Sequence, residues 1–214
     1  MILYCAADPK YFDMYFDLWN LQTSRIYPEI RRHIALYKPT DRAKELFFEN
    51  NIDYNDITEF FPQEPTRNHY YLMRWLFLPY RYNMNILETQ INCLPIKEQE
   101  LPTKVKGQWR VQREKPHTTT GLGGVSAAIF TPEAARKVVE QAKTMIKSPP
   151  ESDHEMNMWQ INNLEQELVL CEYQIKDKHG IETTLPDHAY WITARTAQAW
   201  SHDKKLEALK RFCK

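Results

Sequence analysis

Ile2–Ala7 is an unbroken apolar run of strand length that stops at Asp8-Pro9 and gives way at once to Tyr11, Phe12, Tyr15, Phe16 and Trp19 at helical spacing. Asp8 suits a helix N-cap and Pro9 the first helical position. A strand, a tight turn and a helix therefore open the chain, and the same succession recurs. His33–Tyr37 reads as a second strand, and Pro39-Thr40-Asp41 starts a helix with Ala43, Leu46 and Phe47 on one face, ended by Asn50-Asn51. Ile57–Phe61 reads as a short third strand. Thr66 caps a long aromatic helix through Tyr70, Tyr71, Trp75 and Leu76, closed by Pro79, and Met84–Leu87 is a fourth strand leading into Glu88-Thr89-Gln90. Alternating strands and helices predict an α/β fold: a mixed, mainly parallel central sheet flanked by helices on both faces. Ligands of such sheets sit beyond the carboxyl ends of the strands, which draws attention to Asp8 and to Glu88-Thr89-Gln90.

The second half carries the pattern on less regularly. Residues 95–123 read as a long connection, within which Lys104–Lys115 holds five basic residues and suits a solvated loop. Gly123-Gly124 leads into a strand, Val125–Phe130. Thr131-Pro132-Glu133 opens a helix with Ala134, Ala135, Val138, Val139 and Ala142 on its face. Pro149-Pro150 breaks the chain, and Ser152-Asp153-His154-Glu155 has the capping-box form before a helix with Met156, Trp159 and Leu164. Leu168–Tyr173 and His188–Thr193 read as late strands, and the tail from Lys204 as a short amphipathic helix. Nothing of low complexity divides the 214 residues, so residues 1–214 are expected to form one domain, which can also be the first module of a longer chain.

Charge narrows the function. With 28 basic and 28 acidic residues the formal net charge is zero, whereas nucleic-acid-binding domains usually carry a basic surplus. Nucleic acid is thus not the expected partner. Cys5, Cys93, Cys171 and Cys213 match no zinc spacing and no disulfide framework, as expected of a reducing, cytoplasmic compartment. The amino terminus lacks the basic start of a signal peptide, and no apolar run approaches the ~20 residues of a membrane span.

Several residues can carry chemistry. A carboxylate at Asp8 can accept hydrogen bonds from a base or ribose, with Tyr11 stacking on the base; capping alone also accounts for Asp8. Glu88 and Gln90, two apart in extended chain, point the same way. They can reach one divalent cation, Mg²⁺ or Mn²⁺, or one sugar-diphosphate; with Thr89 they equally suit a turn between strands. Arg74 can neutralise a diphosphate. Gly123 and Gly124 lack the Lys-Ser or Lys-Thr of a P-loop but permit close backbone approach beside a bulky sugar, or a simple turn. Asp153 can cap its helix or deprotonate an acceptor hydroxyl. His202 can ligate a metal and Lys204 bind a leaving diphosphate, if the tail folds back over the site.

Taken in order, these residues resemble the GT-A glycosyltransferases, the galactosyl- and glycogenin-like members in particular. Ala6-Ala7-Asp8 looks like the motif beside the nucleotide. Arg74 with Leu78-Pro79 looks like the arginine helix before the metal motif. Asn85-Ile86-Leu87-Glu88-Thr89-Gln90 stands where the family has a strand running into Asp-x-Asp. Gly123-Gly124-Val125-Ser126-Ala127-Ala128-Ile129-Phe130 resembles its acceptor strand, Asp153-His154 stands for an Asp-Gln pair, and His202 with Lys204 for a late His and Lys. The chain departs at Glu-Thr-Gln for Asp-x-Asp and at His154 for Gln; the first puts metal dependence in question.

The resemblance implies a GT-A fold, a UDP-sugar donor and a glycan or glycoprotein acceptor. Among family members it is similar to those of large algal viruses that decorate a major capsid protein. That likeness implies a hexose or a deoxyhexose such as rhamnose, and action in the host cytoplasm. Glu88, Gln90 and His202 would hold a cation if one is used, and Asp153 would be the base of an inverting transfer. Two other classes fit the residues: a non-catalytic nucleotide-sugar-binding module, and a transferase acting on modified bases of viral DNA, which the zero net charge disfavours.

Overall fold

The computed structural model describes residues 1–113, 127–174, 189–193 and 201–213. Its strands form one nine-stranded sheet: β1 (Ile2–Ala7), β2 (Arg31–Leu36), β3 (Asp53–Asp56), β4 (Ile86–Gln90), β5 (Cys93–Pro95), β6 (Gln108–Arg113), β7 (Ala127–Phe130), β8 (Gln166–Gln174) and β9 (Trp191–Thr193). Their spatial order is β3-β2-β1-β4-β7-β6-β8-β9-β5. Five of the eight strand pairings are parallel, so the sheet is mixed and mainly parallel, as the alternation predicts.

Helices cover both faces. On one lie α1 (Pro9–Ile26), α2 (Asp41–Glu49) and α6 (His202–Phe212), packed over Leu3, Cys5 and Leu87. On the other lie α3 (Arg67–Leu76), α4 (Pro132–Met145) and α5 (Asp153–Asn163), packed over Tyr4, Ala6 and Ile86. The helix starts follow the sequence. Asp8 Oδ1 accepts from the Tyr11 amide at 2.9 Å, Thr40 caps α2 and Thr131 caps α4. The apolar stripe of α1 is buried through Phe12, Tyr15, Phe16 and Trp19, and that of α4 through Ala134, Ala135, Val138, Val139 and Ala142. No helix of the described residues is long and apolar enough to cross a membrane.

Three expectations are corrected. The third strand is not Ile57–Phe61 but Asp53–Asp56, a polar segment whose burial alternates because it is an edge strand. After it, Asp56 Oδ1 accepts from the Thr58 amide at 2.9 Å, which turns the chain into a short 3-10 segment over Thr58–Phe60, while Ile57 and Phe61 still fill the core. Second, Lys104–Lys115 is not a solvated loop but contains β6, a central strand between β7 and β8. Its neighbour Gly107 is held there by close approach: a Cβ on it would lie 2.6 Å from the Glu165 carbonyl oxygen. Third, Glu88-Thr89-Gln90 does not follow a strand; it is the second half of β4. Smaller shifts affect β2, β8 and β9, which run Arg31–Leu36, Gln166–Gln174 and Trp191–Thr193.

His33 on β2 shows what burial costs a titratable group here. Its Nε2 lies 2.6 Å from Asn55 Oδ1. Burial holds the imidazole below the ordinary histidine pKa, and the contact with Asn55 opposes that shift. Folding therefore favours the neutral ring. Its contribution is complete above the unfolded pKa of about 6.5 and is lost as pH falls toward the lower folded value. Between about pH 7 and about pH 5, the urea midpoint of His33→Gln is expected to drop less than that of the wild type. Equal drops would show that other groups carry the dependence.

Candidate active-site cleft

The chain runs from β1 to β2 and β3 on one side, then crosses to β4 on the other side of β1. Between β1 and β4 the direction of the connections reverses, so the crevice beyond their carboxyl ends is left open. A cleft of about 350 Å³ occupies that place. Ala6, Ala7, Asp8 and Tyr11 line it from β1 and the start of α1. Gln90, Ile91 and Asn92 line it from the end of β4, and Arg67, Tyr70, Tyr71, Met73 and Arg74 from α3.

Strand alternation sorts the Glu-Thr-Gln triplet. Ala6 pairs with Gln90 and Tyr4 with Glu88, all facing α3. Thr89 faces α1 instead, where its Oγ1 accepts from Trp19 Nε1 at 3.2 Å. Glu88 is fully buried beneath the cleft floor. Both of its oxygens accept from Arg74, Oε1 from Nε at 2.7 Å and Oε2 from Nη2 at 2.5 Å. This planar two-bond pairing is the strongest form of carboxylate–guanidinium contact, and it is 8% and 0% exposed at its two side chains. The Arg74 guanidinium also lies 5.0 Å from the centre of the Trp75 ring. Glu88 marks its surroundings: burial first, and the Glu88 charge second, push the Tyr4 hydroxyl and the Cys5 thiol well above their usual pKa ranges.

Of the sequence-expected residues, the fold thus brings Asp8, Tyr11, Arg74 and Gln90 onto one cleft, with Glu88 directly behind Arg74. The tail brings His202 against one of them, Tyr11. Helix α6 folds back on α1, and the His202 ring meets Tyr11 edge-on at 5.7 Å between ring centres. His202 Nδ1 is buried without a hydrogen-bond partner among the described residues. Lys204 sits on the exposed first turn of α6, its amide donating to Ser201 Oγ at 3.3 Å. Asp153 is the first residue of α5. Its side chain, and Gly123 and Gly124, lie outside what the structure describes. Arg67, Tyr70 and Tyr71 are cleft residues that the sequence reading had only as helix. A signal was available: they stand seven, four and three residues before Arg74, on its own helical face.

No family model matches the sequence, and no curated protein matches it significantly. Solved structures do match. The galactosyltransferase LgtC, in complex with donor and acceptor sugar analogues, superposes with a TM-score of 0.65 over 99% of this chain and 94% of its own, at 12% identity. A glycosyltransferase involved in glycosylating the major capsid protein of PBCV-1 superposes with a TM-score of 0.56 over 98% of this chain and 99% of its own, at 7% identity. The chain has the GT-A glycosyltransferase fold. The glycosyltransferase GlyE of Streptococcus pneumoniae TIGR4 shares it over 78% of this chain and 44% of its own, at a TM-score of 0.54 and 10% identity.

A divalent cation is the cofactor this GT-A fold raises, and the donor set that the described residues offer at the cleft does not fit one. Mg²⁺ and Mn²⁺ are held mainly by carboxylate oxygens, and affinity rises with ligand charge. Glu88 gives both oxygens to Arg74, Gln90 is a neutral amide, and Asp8 spends Oδ1 on the α1 cap. Among the described residues no group of three or more His, Cys, Asp or Glu side chains could hold a metal ion.

Proposed function

We propose that this chain is a glycosyltransferase that binds a nucleotide-sugar in the β1–β4 cleft and passes its sugar to an acceptor hydroxyl. The observation that carries this reading is the convergence of Asp8, Tyr11, Arg74 and Gln90 on one cleft at the switch point of the sheet. Asp8 and Tyr11 take the base and ribose, and Arg74 with Gln90 the diphosphate end and the sugar. The donor is a UDP-sugar, and the sugar a hexose or a deoxyhexose such as rhamnose. The acceptor is a glycan, one on a viral capsid protein being favoured by the likeness to the PBCV-1 enzyme.

In the transfer, an acceptor oxygen attacks the anomeric carbon while the bond from that carbon to the diphosphate breaks. The nucleoside diphosphate leaves with the bonding pair. Asp153, at the start of the helix packed against α3, takes the acceptor proton, giving inversion. We assign the offset of charge growing on the leaving group, the kind of effect that is often the largest catalytic contribution, to His202 and Lys204 on the first turn of α6, with Arg74, whose charge Glu88 balances, as a neighbour of the diphosphate.

The test is a thermal-shift screen of UDP-, GDP- and CMP-sugars followed by product analysis. A true donor raises the melting temperature progressively with its concentration, and its product carries an inverted anomeric centre. A screen in which no nucleotide-sugar stabilises the protein contradicts the reading. Retention of configuration, or an Asp153→Asn variant as active as wild type, removes Asp153 from the role of base.

A further inference from the structure

We infer that the cleft binds the donor's diphosphate without a divalent cation, and that Arg67 supplies positive charge in the cation's place; this rests on the nucleotide-sugar reading above. Among the described residues, four formally charged side chains lie in or directly beneath the cleft: Asp8, Glu88, Arg67 and Arg74. Glu88 and Arg74 cancel each other through two hydrogen bonds. Of these four, what remains for a ligand is one carboxylate, whose Oδ1 is already accepting from the Tyr11 amide, and the Arg67 guanidinium. Gln90 adds only the neutral donor atoms of its amide. Among the described residues, a divalent cation entering here finds one uncompensated carboxylate and the positive charge of Arg67, which is poor compensation for its water shell.

A diphosphate meets the opposite balance. Arg67 is exposed at the mouth, on the helical face of Arg74 and seven residues before it. Its guanidinium lies 5.7 Å from the centre of the Tyr71 ring, another cleft residue. Stacking there holds the planar group beside the cleft rather than in open solvent. Arginine matches phosphate oxygens with two parallel N–H bonds, so it can do for the leaving group electrostatically what the neutralised Glu88 and the amide of Gln90 cannot do through a metal.

The experiment is isothermal calorimetry with UDP, GDP and CDP and their nucleosides, each with EDTA and with Mn²⁺, on wild type and on Arg67→Gln. Arg67 is a surface residue, so the variant is expected to fold, and its melting temperature verifies that. The diphosphate that binds should show the same affinity, within about twofold, under chelation and with Mn²⁺. Arg67→Gln should weaken that diphosphate by about tenfold or more while leaving the nucleoside unchanged. Loss of diphosphate binding on chelation overturns the inference and leaves the nucleotide-sugar reading standing. Equal diphosphate affinity in wild type and Arg67→Gln overturns it as well. If no diphosphate binds under either condition, the nucleotide-sugar reading fails and takes this inference with it.

Discussion

Glu88→Ala is expected to lower the free energy of unfolding by about 3–5 kcal/mol, because it leaves a guanidinium buried without its counter-charge. Arg74 keeps only 8% of its side chain exposed, and Trp75, Leu72 and Leu76 around it are buried and apolar. The double variant Arg74→Met, Glu88→Leu removes both charges and fills the space, and most of the loss should return. Recovery of stability without recovery of nucleotide-sugar binding would separate the two roles of the pair, since Arg74 faces the cleft as well as Glu88. Urea denaturation of the three proteins measures the first effect. A loss below about 1 kcal/mol for Glu88→Ala would mean that water reaches Arg74 and that the ion pair behaves like a surface one.

The second large effect lies on the opposite face of the same strand. Trp19→Ala is expected to cost about 3–5 kcal/mol through the cavity it leaves between α1 and the sheet. Trp19 is fully buried and its Nε1 donates to Thr89 Oγ1. The substitution thus empties the space behind β4 and removes the hydrogen bond that fixes Thr89. Trp19→Phe keeps most of the packing and loses only that bond, so about 1–2 kcal/mol is expected. The two variants also probe function. Gln90 follows Thr89 on the strand, so a β4 that loses its anchor on the α1 side should bind donor more weakly than the stability loss alone explains. Unchanged donor affinity in folded Trp19→Ala would show that the cleft wall is held from the α3 side only.

The strand–helix succession of the first half was legible because each apolar run ends at a residue with a clear local purpose. Asp8 caps the helix it was expected to cap, and Thr40 and Thr131 cap the helices that Pro39-Thr40-Asp41 and Thr131-Pro132-Glu133 were expected to open. Sharing of a face by Glu88 and Gln90 was legible too, from the period-two geometry of extended chain. What the sequence hid was depth. An isolated Glu-Thr-Gln reads as polar and therefore as a turn, and Arg74, 14 residues earlier on a helix, makes a buried Glu88 tolerable. Strand β6 was hidden for a related reason. Arg110 and Arg113 make Gln108–Arg113 look like a solvated loop, while its place in the sheet depends on β7 and β8, 14 or more residues away in the chain. The edge strand β3 has no apolar run to find. Arg67 was missed because its value depends on where the face of α3 points, which the packing of α3 against β1 decides.

The central claim is that the cleft between the ends of β1 and β4 holds an activated sugar by its diphosphate. A crystal structure with the tightest-binding nucleoside diphosphate tests this most directly. The account predicts a base near Tyr11 and Asp8, and phosphates within hydrogen-bonding reach of Arg67 and Arg74. A nucleotide found instead in the smaller cavity of about 200 Å³ at the other end of α3, among His33, Tyr80 and Tyr82, would contradict it.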